Sequence, residues 1–125
     1  MSQDREILQT IGDYATFHDR EDIESLATLF TERMRYVSRG VVHAGRDNVT
    51  TFLANIYARR PEGEEMKHDY SNSEIGETAY VTSDFIAHQR IGDGPWELNM
   101  VGRCIDRLVR RDGHWLFAER RVEPR

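Results

Sequence analysis

The chain has 125 residues, enough for one domain with its own core and too few for two ordinary ones. Hydrophobic residues make up 38% and charged ones 31%, with Trp 2, Tyr 5 and Phe 5, which excludes a disordered chain. Seventeen Lys and Arg against 22 Asp and Glu leave a formal net charge of −5, a poor balance for neutralising nucleic-acid phosphates.

The first residues, "MSQDREILQT", lack the basic start and apolar stretch of a secretory signal, and no apolar run is long enough to span a bilayer. A cytoplasmic protein with no membrane or nucleic-acid partner is expected. Ile7, Leu8, Ile11, Ala15 and Phe17 recur at helical spacing and predict a first helix from about residue 4 to 17. Ile23, Leu26, Ala27 and Phe30 predict a second from about 20 to 31, with Asp19 before it and Asp22 three residues on in an approximate capping arrangement. "RMRYVSRGVV" alternates like a strand and turns at Gly40. "GRDNVTTFLANIYARR" places Val49, Phe52, Leu53, Ile56 and Tyr57 on one helical face, and "RPEGEE" is a loop.

The period then changes. "KHDYSNSEIG", "ETAYVTSDFIAHQR", "WELNMVGRCIDRLVRR" and "HWLFAERRVE" all read as strands, separated by turns at "IGET", "IGDGP" and "RDGH". Asp112-Gly113 is the clearest hairpin signal. Helices followed by an antiparallel meander make the class α+β, one domain over residues 1–125, with a pocket between a curved sheet and its helices.

No phosphate loop, HExxH, nucleophile elbow or CxxC is present, and Cys104 is the single cysteine, so neither an intrachain disulfide nor a cysteine-based metal cluster can form. No cofactor and no metal are expected; any chemistry falls to scattered acid–base groups. Read from its surroundings alone, Asp19 is a helix cap, worth about 1 kcal/mol. His68 opens a strand, where a histidine is commonly a packed or surface residue; held by a carboxylate it has one tautomer and serves as a general base. Parity puts Ala79, Val81, Ser83, Phe85 and Ala87 on one face of the next strand and His88 on the polar face, unless a bulge intervenes. Leu98, Met100, Gly102, Cys104, Asp106 and Leu108 share a face, an apolar wall with one carboxylate for which Arg103 and Arg107 point the wrong way. An acid so placed is either paired or holds its proton more tightly.

In order along the chain, "YATFHDREDIESLATLF", "GVVHAGRDNVTTFL", "HDYSNSEI" and "GRCIDRLVRRDGHWLFAERRV" resemble the NTF2-like superfamily. More narrowly they resemble its SnoaL-like branch, which includes polyketide cyclases, scytalone dehydratase and a dehydrochlorinase. The resemblance covers nearly the whole chain and implies a cone: three N-terminal helices packed on a strongly curved antiparallel sheet, around a deep apolar pocket. In the dehydratase and dehydrochlorinase members an Asp at the end of the first helix region pairs with a His at the start of a strand. Asp19 and His68 hold those positions. Steroid isomerases of the superfamily use a first-helix Tyr and a protonated sheet Asp, matched here by Tyr14 and Asp106. Their catalytic base would fall near Ser38, and serine cannot replace it; nor is the Asp–Arg–Asp set of limonene epoxide hydrolase-like members recognisable. Cys104 stands where many SnoaL-like chains carry an aromatic residue, which implies a wider pocket.

The resemblance implies a cofactor-independent acid/base enzyme on an apolar oxygenated small molecule, a dehydratase first and a cyclase or isomerase next. Asp19, His68 and Tyr14 would be catalytic, with Tyr36, Met100, Cys104 and Asp106 against the substrate. The alternative is the same cone as a non-catalytic ligand-binding or dimerisation module. The contact between Asp19 and His68 separates the two. A homodimer is expected through the outer sheet face, where Val101, Ile105, Val109 and Phe117 alternate with arginines.

Overall fold

A computed structural model describes residues 2–76 and 79–124. Helix α1 (Ser2–Asp19) and the short α2 (Ile23–Ala27) lead into strand β1 (Phe30–Ser38) and β2 (Val41–Ala44). Helix α3 (Arg46–Ala58) follows, then four long strands, β3 (Glu64–Ile75), β4 (Tyr80–Ile91), β5 (Glu97–Arg111) and β6 (His114–Pro124). Three helices pack on one curved, unclosed six-stranded sheet of order β2-β1-β6-β5-β4-β3. The expected α+β cone is therefore present, and β3 to β6 form the expected meander. The sheet is mixed rather than wholly antiparallel, because β1 runs parallel to β6.

The first corner differs from expectation. Helix α1 does not stop at residue 17 but runs to Asp19, and the N-cap of α2 is Asp22, whose carboxylate accepts the Ser25 N–H at 3.2 Å. Asp19 is thus the last residue of one helix rather than the cap of the next. The second helix ends at Ala27, and Phe30, read as helical, opens β1. The turn expected at "IGET" includes Glu77 and Thr78, which lie outside the described residues, as does Thr78 of the polar face read for β4.

The core lies between the inward stripe of α1 (Ile7, Ile11, Tyr14), Val49 and Leu53 of α3, and the concave sheet face. The stripe follows the steps of four and three that keep side chains on one helix face. Leu8, one step off it, is exposed. On β4, Val81, Ser83, Phe85 and Ala87 point inward, as parity predicts. On β5 the inward residues are Gly102, Cys104, Asp106 and Leu108.

Strand β6 breaks simple alternation. Leu108 faces Phe117 across the ladder, but Arg107 faces Glu119, so Ala118 is an extra residue in a bulge. The bulge lets Phe117 and Arg120, three residues apart, both point inward. Phe117, expected on the outer face, is fully buried in the core.

Candidate active site

The cone encloses a cavity of about 510 Å³ between α1, α3 and the concave sheet face. That lies within the range of small-molecule binding clefts. Phe52, Leu53, Ile56, Met66, Phe85 and Met100 give it apolar walls. Polar groups enter from His18, His68, Tyr14, Tyr36, Tyr70 and Arg120.

Asp19 and His68 touch. Asp19 Oδ1 lies 2.6 Å from His68 Nδ1, and Asp19 Oδ2 accepts the His68 backbone N–H at 2.9 Å. The contact joins the end of α1 to the middle of β3, so helix and strand hold the ring from two sides. With its carboxylate ionised, Asp19 only accepts, which puts the Nδ1 proton on the histidine and leaves Nε2 as the free acceptor. His68 lines the cavity and Asp19 stands behind it.

His18, not among the residues singled out from the sequence, also lines the cavity. Its ring centroid is 4.7 Å from that of His68, and its Nδ1 is 2.6 Å from the Tyr57 hydroxyl. Burial pushes its pKa well below the ordinary histidine value, and the neighbouring His68, Arg60 and Arg120 push the same way. His18 is therefore a neutral imidazole near pH 7. Its place was legible in the spacing Ile7, Ile11, Tyr14, His18, which continues one helix face.

Arg120 is the second residue missed. Its Nε and Nη2 donate to the two oxygens of Asp106 at 2.7 and 2.9 Å, and Nη1 donates to the Tyr70 hydroxyl at 3.0 Å. Its guanidinium also lies 4.0 Å from the Tyr14 ring centroid, a cation–π contact. Asp106 and Arg120 are direct cross-strand partners with side chains 0% and 1% exposed. Burial works against the charge on Arg120, but the Asp106 carboxylate, with Cys104 and Tyr70 acting the same way, more than offsets it and keeps the guanidinium protonated. Burial likewise raises the Asp106 pKa above the usual aspartate value, with Arg120 pulling it back.

The structure thus separates the expected site residues. His68, Tyr14, Tyr36, Met100 and Cys104 line one cavity, and Asp19 reaches it through His68. Asp106 does not line it: both its oxygens are taken by Arg120, which stands between it and the cavity. An isomerase-like protonated Asp106 donor does not fit that geometry, because a bidentate guanidinium needs an ionised carboxylate. Arg103 and Arg107 do face away, as parity required; the partner came from the adjacent strand. Ser38 lines the cavity, whereas His88 does not and sits opposite Leu98 just past a bulge after Ala87.

The tyrosines stay protonated. Burial raises Tyr14, and raises Tyr36 and Tyr70 well above the usual phenol value. Burial also pushes the Cys104 thiol up to about 12, so it is a packing residue and not a thiolate. Among the described residues no group of three His, Cys, Asp or Glu is placed to hold a metal ion.

Residues 1–121 match the family model of the SnoaL-like domain. No curated protein matches the chain. Among solved structures, a candidate scytalone dehydratase of Novosphingobium aromaticivorans is 26% identical, with a TM-score of 0.85 over 99% of this chain and 85% of the other. ActVI-ORFA of Streptomyces coelicolor is 22% identical, with a TM-score of 0.89 over 99% of this chain and 95% of the other. A Catenulispora acidiphila protein solved in complex with S-DNPA is 23% identical, with a TM-score of 0.84 over 98% and 93%. The latter two, below a quarter identity, speak for the fold alone.

Proposed function

The chain belongs to the SnoaL-like family, and on that footing we propose that it is a cofactor-independent dehydratase acting on an apolar, oxygenated, cyclic small molecule. The observation that carries this reading is the contact of Asp19 with both the ring and the backbone of His68 beside the cavity. The likeness to the candidate scytalone dehydratase of N. aromaticivorans agrees with it.

In this reading His68 Nε2 takes a proton from the carbon α to a carbonyl. Asp19 holds the ring and stabilises the imidazolium that forms. The O–H groups of the tyrosines on the wall (Tyr14, Tyr36, Tyr70) receive the developing enolate oxygen. As the enolate collapses, the β carbon–oxygen bond breaks and the hydroxyl leaves as water with the proton that His68 had taken. General base catalysis contributes roughly 10²–10⁴-fold and each aimed oxyanion donor about 10²–10³-fold. The machinery therefore suits a C–H already acidified by a carbonyl. Cyclisation and isomerisation share the first proton transfer and differ in the fate of the enolate.

The test is a panel of cyclic β-hydroxyketones, with conjugated enone followed by absorbance. Wild type should release water from at least one member, and His68→Ala should be slower by about 10²–10⁴-fold while keeping its circular dichroism. Equal rates for wild type and His68→Ala would remove the reading in favour of a binding module.

We further propose that the protein works as a single domain in the cytoplasm and as a homodimer. Among the described residues no helix is long and apolar enough to cross a membrane. Ile86 and Val101 are cross-strand partners exposed on the outer sheet face, with Ile105 and Val109 half-buried beside them. Sedimentation equilibrium at micromolar concentration should give twice the chain mass, and Val101→Glu should give the monomer. A monomeric wild type would exclude this assembly.

A further inference from the structure

The charges around the cavity are one-sided. The chain as a whole carries −5, yet among the described residues lining the cavity three are Arg (Arg39, Arg60, Arg120) and none is Asp or Glu. Each cation differs in what already neutralises it. Arg120 is held in a fork by Asp106 behind the wall. Arg60 meets Glu21 at 3.0 Å. Arg39 pairs with no carboxylate among the described residues. It sits in the turn between β1 and β2, exposed at the cavity mouth, with φ of 50°.

We infer that the cavity takes an organic carboxylate, with its ring system against the apolar walls and its carboxylate at the mouth on Arg39. This rests on the cavity being the substrate site and adds the charge and orientation of what enters it. A guanidinium matches a carboxylate in a two-pronged hydrogen-bonded pair. One uncompensated cation matches a monoanion. The apolar walls and a volume of about 510 Å³ suit an apolar ring skeleton of small-molecule size. An acidic lining would repel such a ligand, and this lining contains no acid to do so.

The test needs no knowledge of the natural substrate. Binding of 2-naphthoate and its neutral isostere 2-naphthamide is measured by calorimetry at low salt, for wild type, Arg39→Gln and Arg110→Gln. Arg110 is an exposed cation remote from the cavity lining and controls for general attraction. Wild type and Arg110→Gln should bind the carboxylate at least tenfold tighter than the amide. Arg39→Gln should bring the two within about twofold, and salt should erode the wild-type preference because an exposed charge is screened. Equal affinities in wild type, an unchanged preference in Arg39→Gln, or an equal loss in both variants would overturn the inference. His68→Ala, titrated alongside, should keep the preference; its loss there would move the anion contact to His68 and also overturn the assignment. Because these arms read binding alone, a protein without turnover would fail the catalytic reading and leave this one standing on its own result.

Discussion

Asp19 holds His68 twice, at the ring Nδ1 through Oδ1 (2.6 Å) and at the backbone N–H through Oδ2 (2.9 Å). A carboxylate at the C-terminal end of a helix is in an unfavourable field, because the macrodipole is negative there. Two accepted hydrogen bonds offset that, and they fix the ring relative to the strand that carries it. His18, whose ring centroid is 4.7 Å from that of His68, is kept neutral by burial and by nearby positive charge.

Asp19→Asn should keep the fold and lose ring control, since an amide cannot accept with both of its side-chain atoms. Turnover of any substrate found in the panel should fall by at least tenfold. In proton NMR the strongly downfield imidazole N–H expected of the short Asp19–His68 bond should vanish. Asp19→Ala should in addition lose about 1–3 kcal/mol of stability, because the His68 N–H is left without its acceptor. A downfield signal and a rate both unchanged in Asp19→Asn would reduce Asp19 to a tether between helix and strand.

The Asp106–Arg120 pair is fully desolvated, so breaking it on one side is costly. Asp106→Ala should lose about 3–5 kcal/mol in urea unfolding, because a buried guanidinium remains without its counter-charge. Asp106→Leu combined with Arg120→Met should recover most of that loss, since the desolvation cost disappears with the charges. A single variant costing less than about 1 kcal/mol would mean that water reaches Arg120, contrary to its burial.

His18 predicts a pH dependence of stability. Its pKa in the folded protein is pushed well below 6.5, so below pH 6.5 the unfolded chain binds a proton that the folded one refuses. Stability is then greatest above that value and falls as pH drops, by up to about 1.4 kcal/mol per pH unit for one such group. Melting temperatures between pH 7 and 5 should fall for wild type and fall less for His18→Gln. Parallel curves for the two proteins would show that His18 is free to charge when folded.

Gly102 lies beneath the Phe85 ring. A Cβ there would sit 2.5 Å from Phe85 Cε1 and 2.9 Å from the Glu123 carbonyl oxygen. Gly102→Ala should therefore cost about 1–3 kcal/mol by overpacking and push Phe85, a wall residue, into the cavity. Weaker 2-naphthamide binding by this variant would report the intrusion; full stability and unchanged binding would show that the sheet can open locally.

Several features were legible in the residues alone, for reasons of period. Alternation placed Phe85, Ala87 and Cys104 inward and sent Arg103 and Arg107 outward. Helical steps placed Ile7 and Ile11 inward but included Leu8, which is exposed, and did not pick out Tyr14 and His18, which continue the buried face. The resemblance to the SnoaL-like branch drew attention to Asp19 and His68. Local readings failed where one residue changed the count. The rule that acids cap helices assigned the α2 cap to Asp19, whereas α1 runs two residues further, to Asp19 itself, and the cap is Asp22.

Composition and periodicity by themselves determined the class, the order of helices and strands, and most inward faces, because these depend on side-chain spacing over a few residues. Tertiary structure decided the rest. The parallel run of β1 against β6, the bulge at Ala118 that turns Arg120 inward to Asp106, and the 49-residue reach from Asp19 to His68 all depend on where distant segments meet. The positive cast of the cavity is of the same kind: an acidic chain gathers three arginines around one hollow only when its curved sheet closes over its helices.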